Sequence, residues 1–172
     1  MQHLTTVLVG VLSSLIASAL FLFALFRIRP NLVISPFIAT DADGRGTFYS
    51  FKIINKAPRP AINVRAELTM AEKAVVDGGE VCWEGKIPLV ADQVFEIGGH
   101  NTKDPNAEFA FRFVTDRDLG EIWKNNSQYL TLRVVATDSV TGFSRTFRRD
   151  FHLKRTCLKP GTHGFGDSLD VT

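Results

Sequence analysis

The hydrophobic and polar positions divide this chain into two parts. Residues 4–26 carry no charged side chain. At about 1.5 Å of rise per residue, a helix of that length would reach roughly 34 Å, enough to cross a hydrocarbon core about 30 Å thick. From residue 32 onward apolar and polar positions alternate with the period of two that is typical of strands. The pattern therefore predicts one apolar helix followed by a β domain.

The alternation is clearest over residues 62–70, where Ile62, Val64 and Leu68 belong to one apolar face. A strand over residues 33–39 is expected at a sheet edge, broken or bulged at Pro36. Residues 116–124 are typical of one short helix, with Asp116 as its N-cap. Further strands are predicted over residues 47–54, 81–89, 94–97, 108–115, 129–137 and 143–153.

Seven or eight strands in about 125 residues are the count and spacing of a two-sheet sandwich. The predicted fold class is therefore all-β, an immunoglobulin-like β-sandwich preceded by one transmembrane α-helix. Residues 1–29 form the predicted anchor with its basic flank, and residues 30–156 form the sandwich. Residues 157–172 are rich in glycine and polar side chains, so we expect a flexible tail.

Charge changes this picture at the junction of the two parts. All 18 acidic residues lie at or after Asp41, and 18 of the 20 Lys and Arg follow Pro30. The β domain is therefore formally neutral, which argues against the concentrated basic face that nucleic-acid binding requires. No nucleic-acid partner is predicted. The remaining two basic residues, Arg27 and Arg29, directly follow the apolar segment.

The apolar segment has two interpretations, an uncleaved anchor and a cleaved signal peptide. No Lys or Arg precedes it, and seven apolar residues follow its one small-x-small pattern, Ala17-Ser18-Ala19. Both features favour the anchor. Arg27 and Arg29 then place the β domain in the cytoplasm by the positive-inside rule, on a single-pass protein of the inner membrane. These two arginines are topology signals, or they also contact anionic headgroups.

The apolar helix carries small residues four positions apart, at Gly10, Ser14 and Ser18. This spacing allows two membrane helices to approach closely, and it predicts a homo-oligomer. The alternative is ordinary transmembrane composition, in which glycine and serine are common.

Recognisable catalytic chemistry is absent from the sequence. There is no nucleophile motif, no phosphate-binding loop and no histidine at metal-ligand spacing from a cysteine. We expect no enzyme, no cofactor and no metal site. Cys82 and Cys157 fit a disulfide or two thiols equally well.

The last strand is basic, with Arg145, Arg148 and Arg149 in it. Positive charge on an edge strand blocks sheet-to-sheet association, which is one interpretation. The alternative is that these arginines bind an anionic ligand or partner.

Two stretches resemble immunoglobulin-like domains of the early-set type. Residues 51–55 followed by 61–68 are similar to the second and third strands of bacterial adhesion-like modules and of the cytoplasmic domain of inward-rectifier potassium channels. Residues 137–142 followed by 143–151 resemble the last hairpin of that channel domain. The resemblance implies the fold only, because this chain has one apolar segment and no selectivity filter.

Three functions follow as hypotheses. A non-enzymatic binding or regulatory module, contacting an unknown protein partner, should have a filled core and a flat or apolar exposed patch. A sensor-effector should have a polar concave pocket containing some of the three strand arginines or His152. An enzyme should bring His100 or His152 within hydrogen-bond distance of a carboxylate or thiol in a cleft.

Overall fold

The structure, a computed structural model, describes residues 2–27, 29–43, 46–125 and 127–172, and its β domain spans residues 32–172. It is mostly β, with one long N-terminal helix and two short ones among the described residues. In chain order the elements are α1 (Gln2–Arg27), β1 (Leu32–Asp43), β2 (Gly46–Asn55), β3 (Ala61–Val76), β4 (Gly79–Ile87), β5 (Gln93–Ile97), β6 (Ala110–Thr115), α2 (Leu119–Ile122), β7 (Gln128–Asp138), β8 (Ser144–Phe151), α3 (Lys154–Cys157) and β9 (Leu158–Pro160).

The strands form two sheets. Sheet A has the order β6-β2-β1-β9, and sheet B has the order β4-β3-β7-β8, with β5 also paired to β3. All described pairings are antiparallel except that of β1 with β9. The strand β8 therefore lies at an edge of sheet B, as one interpretation of its basic sequence requires.

One hydrophobic core lies between the sheets because each contributes an apolar face. Phe51 and Phe113 of sheet A belong to the same buried cluster as Leu68 and Leu132 of sheet B. The rings of Phe51 and Phe151 meet edge to face at a centroid distance of 5.8 Å. Phe51, Phe113 and Phe151 therefore belong to the core.

No residue of helix α1 whose side chain the structure describes belongs to that core. Its segment Thr6–Phe23 is long and apolar enough to cross a membrane, and none of that segment is buried in the protein. Gly10, Ser14 and Ser18 are all exposed on it.

The strand β1 is not an edge strand, contrary to the prediction. Its outer side pairs in parallel with β9, with Ile38 opposite Leu158 and Thr40 opposite Pro160. Propensity could not reveal this pairing, because β9 has only three residues and lies far along the chain. The predicted irregularity at Pro36 is confirmed: the register shifts between Ile34 and Ile38.

The short helix after β6 is capped by Asp118 rather than by Asp116. The Asp118 carboxylate accepts hydrogen bonds from the backbone N–H groups of Gly120 and Glu121, at 2.7 and 3.2 Å. The helix therefore begins two residues later than predicted. The inward positions of this helix were expected to be Leu119, Ile122 and Trp123; Leu119 and Trp123 are buried, whereas Ile122 is exposed.

The flexible tail predicted over residues 157–172 is wrong. Residues 158–172, the C-terminal segment, lie across the outer face of sheet A and hydrogen-bond to it. Lys52 donates to the carbonyl oxygens of Gly164, Gly166 and Ser168 at 2.6, 2.6 and 2.7 Å. Backbone carbonyl groups of the segment thus accept hydrogen bonds from a side chain that is fixed on the sheet. Composition alone does not reveal these bonds.

Candidate functional site

The C-terminal segment covers part of the outer face of sheet A and buries the side chains that lie there. Lys52 is only 1% exposed, although an isolated lysine is rarely buried. Burial lowers its pKa to about 8, so at neutral pH it is largely an ammonium with three N–H groups for three carbonyls. Beside it, Ile54 and Phe109 form a small apolar cluster against which Leu169 packs.

His163 anchors the same segment from the other side. Its Nε2 lies 3.0 Å from the backbone oxygen of Ser50, and its own carbonyl accepts from Arg112 at 2.6 Å. The Nδ1 atom is buried with no hydrogen-bond partner. Burial lowers the pKa of His163 below its ordinary value of 6.5, so the ring is neutral at neutral pH.

His100 comes within hydrogen-bond distance of a carboxylate, which was one condition for an enzyme. Its Nε2 lies 2.9 Å from Asp167 Oδ1. Lys56 binds the same carboxylate oxygen at 2.7 Å, and all three side chains are partly exposed. This cluster ties the C-terminal segment to the loop after β2, which accounts for it without catalysis.

The basic strand β8 divides its arginines between two faces. Arg148 bonds to Asp150 on its own strand, with Nε 2.9 Å from Oδ1. Arg145 and Arg149 lie two residues before and two residues after Phe147, on the same face of the strand. They pair with Ala136 and Leu132 of β7. The strand period therefore places Arg145 and Arg149 on one face of β8 and Arg148 on the other, where its charge is paired with Asp150.

A cleft opens where β8 meets the beginning of β1, and we call it the seam cleft. Its volume is about 370 Å³, and its lining includes Leu32, Val33, Arg145, Arg148 and Arg149. It exists because β9 covers β1 only from Ile38 onward. The Arg145 guanidinium lies 5.1 Å from the centre of the Phe147 ring. All three arginines that the sequence offered for an anionic ligand or partner therefore lie along this cleft.

An apolar patch projects at the opposite end of sheet B. In the β3–β4 hairpin, Val76, Val81 and Trp83 continue the inward-facing side of the strands past the core. The Trp83 side chain is 66% exposed. A filled core with an exposed apolar patch is the condition set for a protein-binding module, and sequence did not separate this patch from the core.

The end of the β domain nearest α1 brings three chain segments together, and we call it the helix-proximal end. The backbone N–H of Lys56 donates to the carbonyl of Asn31 at 2.7 Å, and that of Ser139 donates to Pro60 at 3.3 Å. The end therefore consists of Asn31, loop 56–60 and turn 139–143. Arg29 precedes it and is exposed, whereas the Arg27 side chain lies outside the described part of the structure.

Turn 139–143 is held rigidly and exposes apolar side chains. The buried Asp138 carboxylate accepts from the N–H groups of Val140 and Thr141, at 3.0 and 2.8 Å, and Gly142 adopts a φ of 70°. Val140 is nevertheless 70% exposed and Phe143 is 41% exposed. Sequence analysis missed these two residues, although an apolar residue inside the turn Asp138-Ser139-Val140-Thr141-Gly142 was the available signal.

Across the described ranges, no three His, Cys, Asp or Glu side chains are grouped to hold a metal ion. The two cysteines are both free thiols, Cys82 exposed and Cys157 half-buried.

Comparison with known proteins identifies no family. No protein-family model and no curated protein matches the chain. Among solved structures, it is similar to Spo0M, a sporulation control protein from Bacillus subtilis, with a TM-score of 0.38 and 12% identity. That similarity covers 72% of this chain, which spans about half (49%) of the Spo0M chain. None of these comparisons shows a relation to potassium channels.

Proposed function

We propose that this chain is a single-pass, membrane-anchored binding or regulatory module without enzymatic activity. One observation carries the proposal: Thr6–Phe23 is entirely exposed, while the β domain fills its own core. A free apolar helix of this length in water would expose a large hydrophobic surface. A bilayer removes that cost, because its hydrocarbon solvates the helix.

The proposed location is the inner membrane, with the β domain in the cytoplasm. Arg27 and Arg29 directly follow the apolar segment. The positive-inside rule favours this orientation. In the same proposal the β domain is an immunoglobulin-like sandwich, which is supported by two largely antiparallel sheets that share one core.

The proposed partner surface for another protein is the apolar patch of the β3–β4 hairpin. Aromatic anchors surrounded by smaller apolar residues are typical of the centre of protein interfaces, and Trp83 with Val76 and Val81 has this composition. The patch lies at the end of the domain away from α1, where a partner would not compete with the bilayer.

A photo-reactive amino acid at position 83 of the full-length protein in its own membrane tests this surface. We expect a protein adduct from position 83 and none from the exposed Glu67 position on the other face of β3, which serves as the control. Equal adducts from both positions, or none from either, would contradict the proposal.

The second candidate is a sensor-effector that binds a small anionic ligand and assembles through its membrane helix. The seam cleft favours it, because Arg145 and Arg149 line this cleft, whose volume is about 370 Å³. Pockets of roughly 300–1,000 Å³ are typical of small-ligand sites. Gly10, Ser14 and Ser18 would be the helix contact. Titration of the full-length protein with inorganic phosphate, comparing R145Q and R149Q with wild type, tests this candidate directly.

A further inference from the structure

We propose that turn 139–143 and Arg145 dock onto the anionic surface of the same bilayer that holds α1. This inference rests on the proposed anchorage and adds a second, non-covalent attachment. The occupant is the headgroup layer of a membrane that contains anionic lipid. The attachment would fix the orientation of the β domain and leave the β3–β4 patch facing away from the membrane.

The first step is the short length of the chain between Arg27 and Asn31, which we call the tether. The helix α1 ends at Arg27, one residue after the charge-free segment, so that residue lies at the headgroup level of a spanned bilayer. Four Cα–Cα steps separate Arg27 from Asn31, which allows a separation of about 14 Å at most. The helix-proximal end therefore stays next to the headgroups.

The second step is the position of the turn at that end. Asn31 is bonded to Lys56, and Ser139 is bonded to Pro60 at the other end of the same loop. In the sheet, Ala61 also pairs with Asp138. The turn thus lies on the side of the domain that the tether holds against the membrane.

The third step is the rigidity of the exposed apolar tip. The Thr141 hydroxyl adds a third bond to Asp138, at 3.0 Å, and the N–H of Asp138 donates to the Phe143 carbonyl at 2.9 Å. Val140 therefore cannot fold back onto the domain without losing these bonds. A preorganised apolar tip inserts at little entropic cost, because its conformation is already fixed.

The fourth step is charge. Asp138 is the acidic residue at the base of the turn, and Arg59 neutralises it with Nε 3.6 Å from Oδ2. Arg145 follows Phe143 by two residues and is exposed, with its guanidinium 5.1 Å from the centre of the Phe147 ring, so the positive charge lies on the strand next to the apolar tip. Apolar side chains beside basic ones are the composition of interfacial membrane attachment.

The strand geometry makes Arg149 a matched control. It lies four residues farther along β8 than Arg145, or about 13 Å at the rise of a strand. That distance exceeds the screening length of about 8 Å at physiological ionic strength. Loss of Arg145 should weaken docking about fivefold, as expected for one basic residue at an anionic surface, and loss of Arg149 should change it little.

The experiment uses the full chain in lipid nanodiscs of phosphatidylcholine, with or without phosphatidylglycerol. An environment-sensitive fluorophore is attached to V140C, or to V75C on the distant hairpin, with Cys82 and Cys157 replaced by serine. In anionic discs we expect the label at 140 to shift to the blue and to resist iodide quenching, while the label at 75 remains quenched. R145Q should reverse the protection, and R149Q should not.

Two results would overturn the inference while leaving the anchor intact. One is equal quenching at positions 140 and 75 in chains that co-elute with the discs at high salt. The other is an equal loss from R145Q and R149Q that inorganic phosphate mimics, which would assign both arginines to a soluble anion in the seam cleft. Chains that do not co-elute with the discs would overturn the anchorage and the docking together.

Discussion

Lys52 Nζ lies 2.6 Å from the carbonyl oxygen of Gly166, a bond between a central strand of sheet A and the C-terminal segment. Two further carbonyl oxygens accept hydrogen bonds from the same ammonium, so this one side chain binds residues 158–172 at three positions. Charge-assisted hydrogen bonds of this kind are roughly twice as strong as neutral ones. The segment is therefore part of the fold.

Substitution K52M should release the C-terminal segment. The methionine fills similar space but leaves three buried carbonyls without a donor, at a cost of about 2–3 kcal/mol of unfolding free energy. Hydrogen exchange should accelerate over residues 158–172, and the thermal midpoint should fall. The control is K73M, the same change at an exposed lysine of β3. Unchanged exchange in K52M would show that other contacts hold the segment.

Acidification should weaken the same segment through His163. The unfolded chain binds the proton near the ordinary pKa of 6.5, whereas the folded chain binds it only at a lower pH. Between these two values the unfolded state holds more protons, so stability falls as pH falls and is fully present above pH 6.5. Denaturant unfolding at a series of pH values measures this slope. H163Q should flatten it, and a slope equal to that of wild type would exclude His163 as its source.

The two tryptophans should differ sharply in their contribution to stability. Trp123 is buried and donates from Nε1 to the Gln128 carbonyl at 2.9 Å. W123A should lower the unfolding free energy by about 3–5 kcal/mol. W83A should change it by less than about 0.5 kcal/mol, because Trp83 lies on the exposed patch. Urea unfolding of both variants decides this, and a large loss from W83A would place that side chain in a core contact.

Self-association of the apolar helix should depend on Gly10. A Cβ atom added there meets no atom within 4 Å inside the chain, so G10I changes the helix surface without an internal clash. If the small-residue face forms the contact, the branched side chain prevents close approach and lowers the dimer fraction in a membrane. Energy transfer between labelled chains in vesicles measures that fraction. The control is L12I, on another face of the helix, and equal association of G10I and wild type would remove Gly10 from the contact.

Much of the β domain could be predicted because its core strands alternate strictly. In β3, Val64, Ala66 and Leu68 are buried while Arg65 and Glu67 are exposed, as the period of two requires. The helix α1 and the turn after β7 were equally predictable from the sequence. Local pattern and tertiary environment agree in these elements, so the sequence alone suffices.

Two of the failures, at the C-terminal segment and at the outer side of β1, share one physical cause, which is contact between residues far apart in the chain. Lys52 and Gly166 are 114 positions apart, so nothing local indicates that a Gly-rich segment will be fixed. The pairing that buries the outer side of β1 is similarly remote.

Alkaline carbonate extraction of native membranes, with the intact mass of the recovered chain, tests the central claim of a permanent membrane anchor most directly. The account predicts that the chain stays in the membrane pellet with residues 4–26 still attached. Recovery of the chain in the aqueous fraction, or of a mature chain that begins at about residue 20 after signal cleavage, would contradict it.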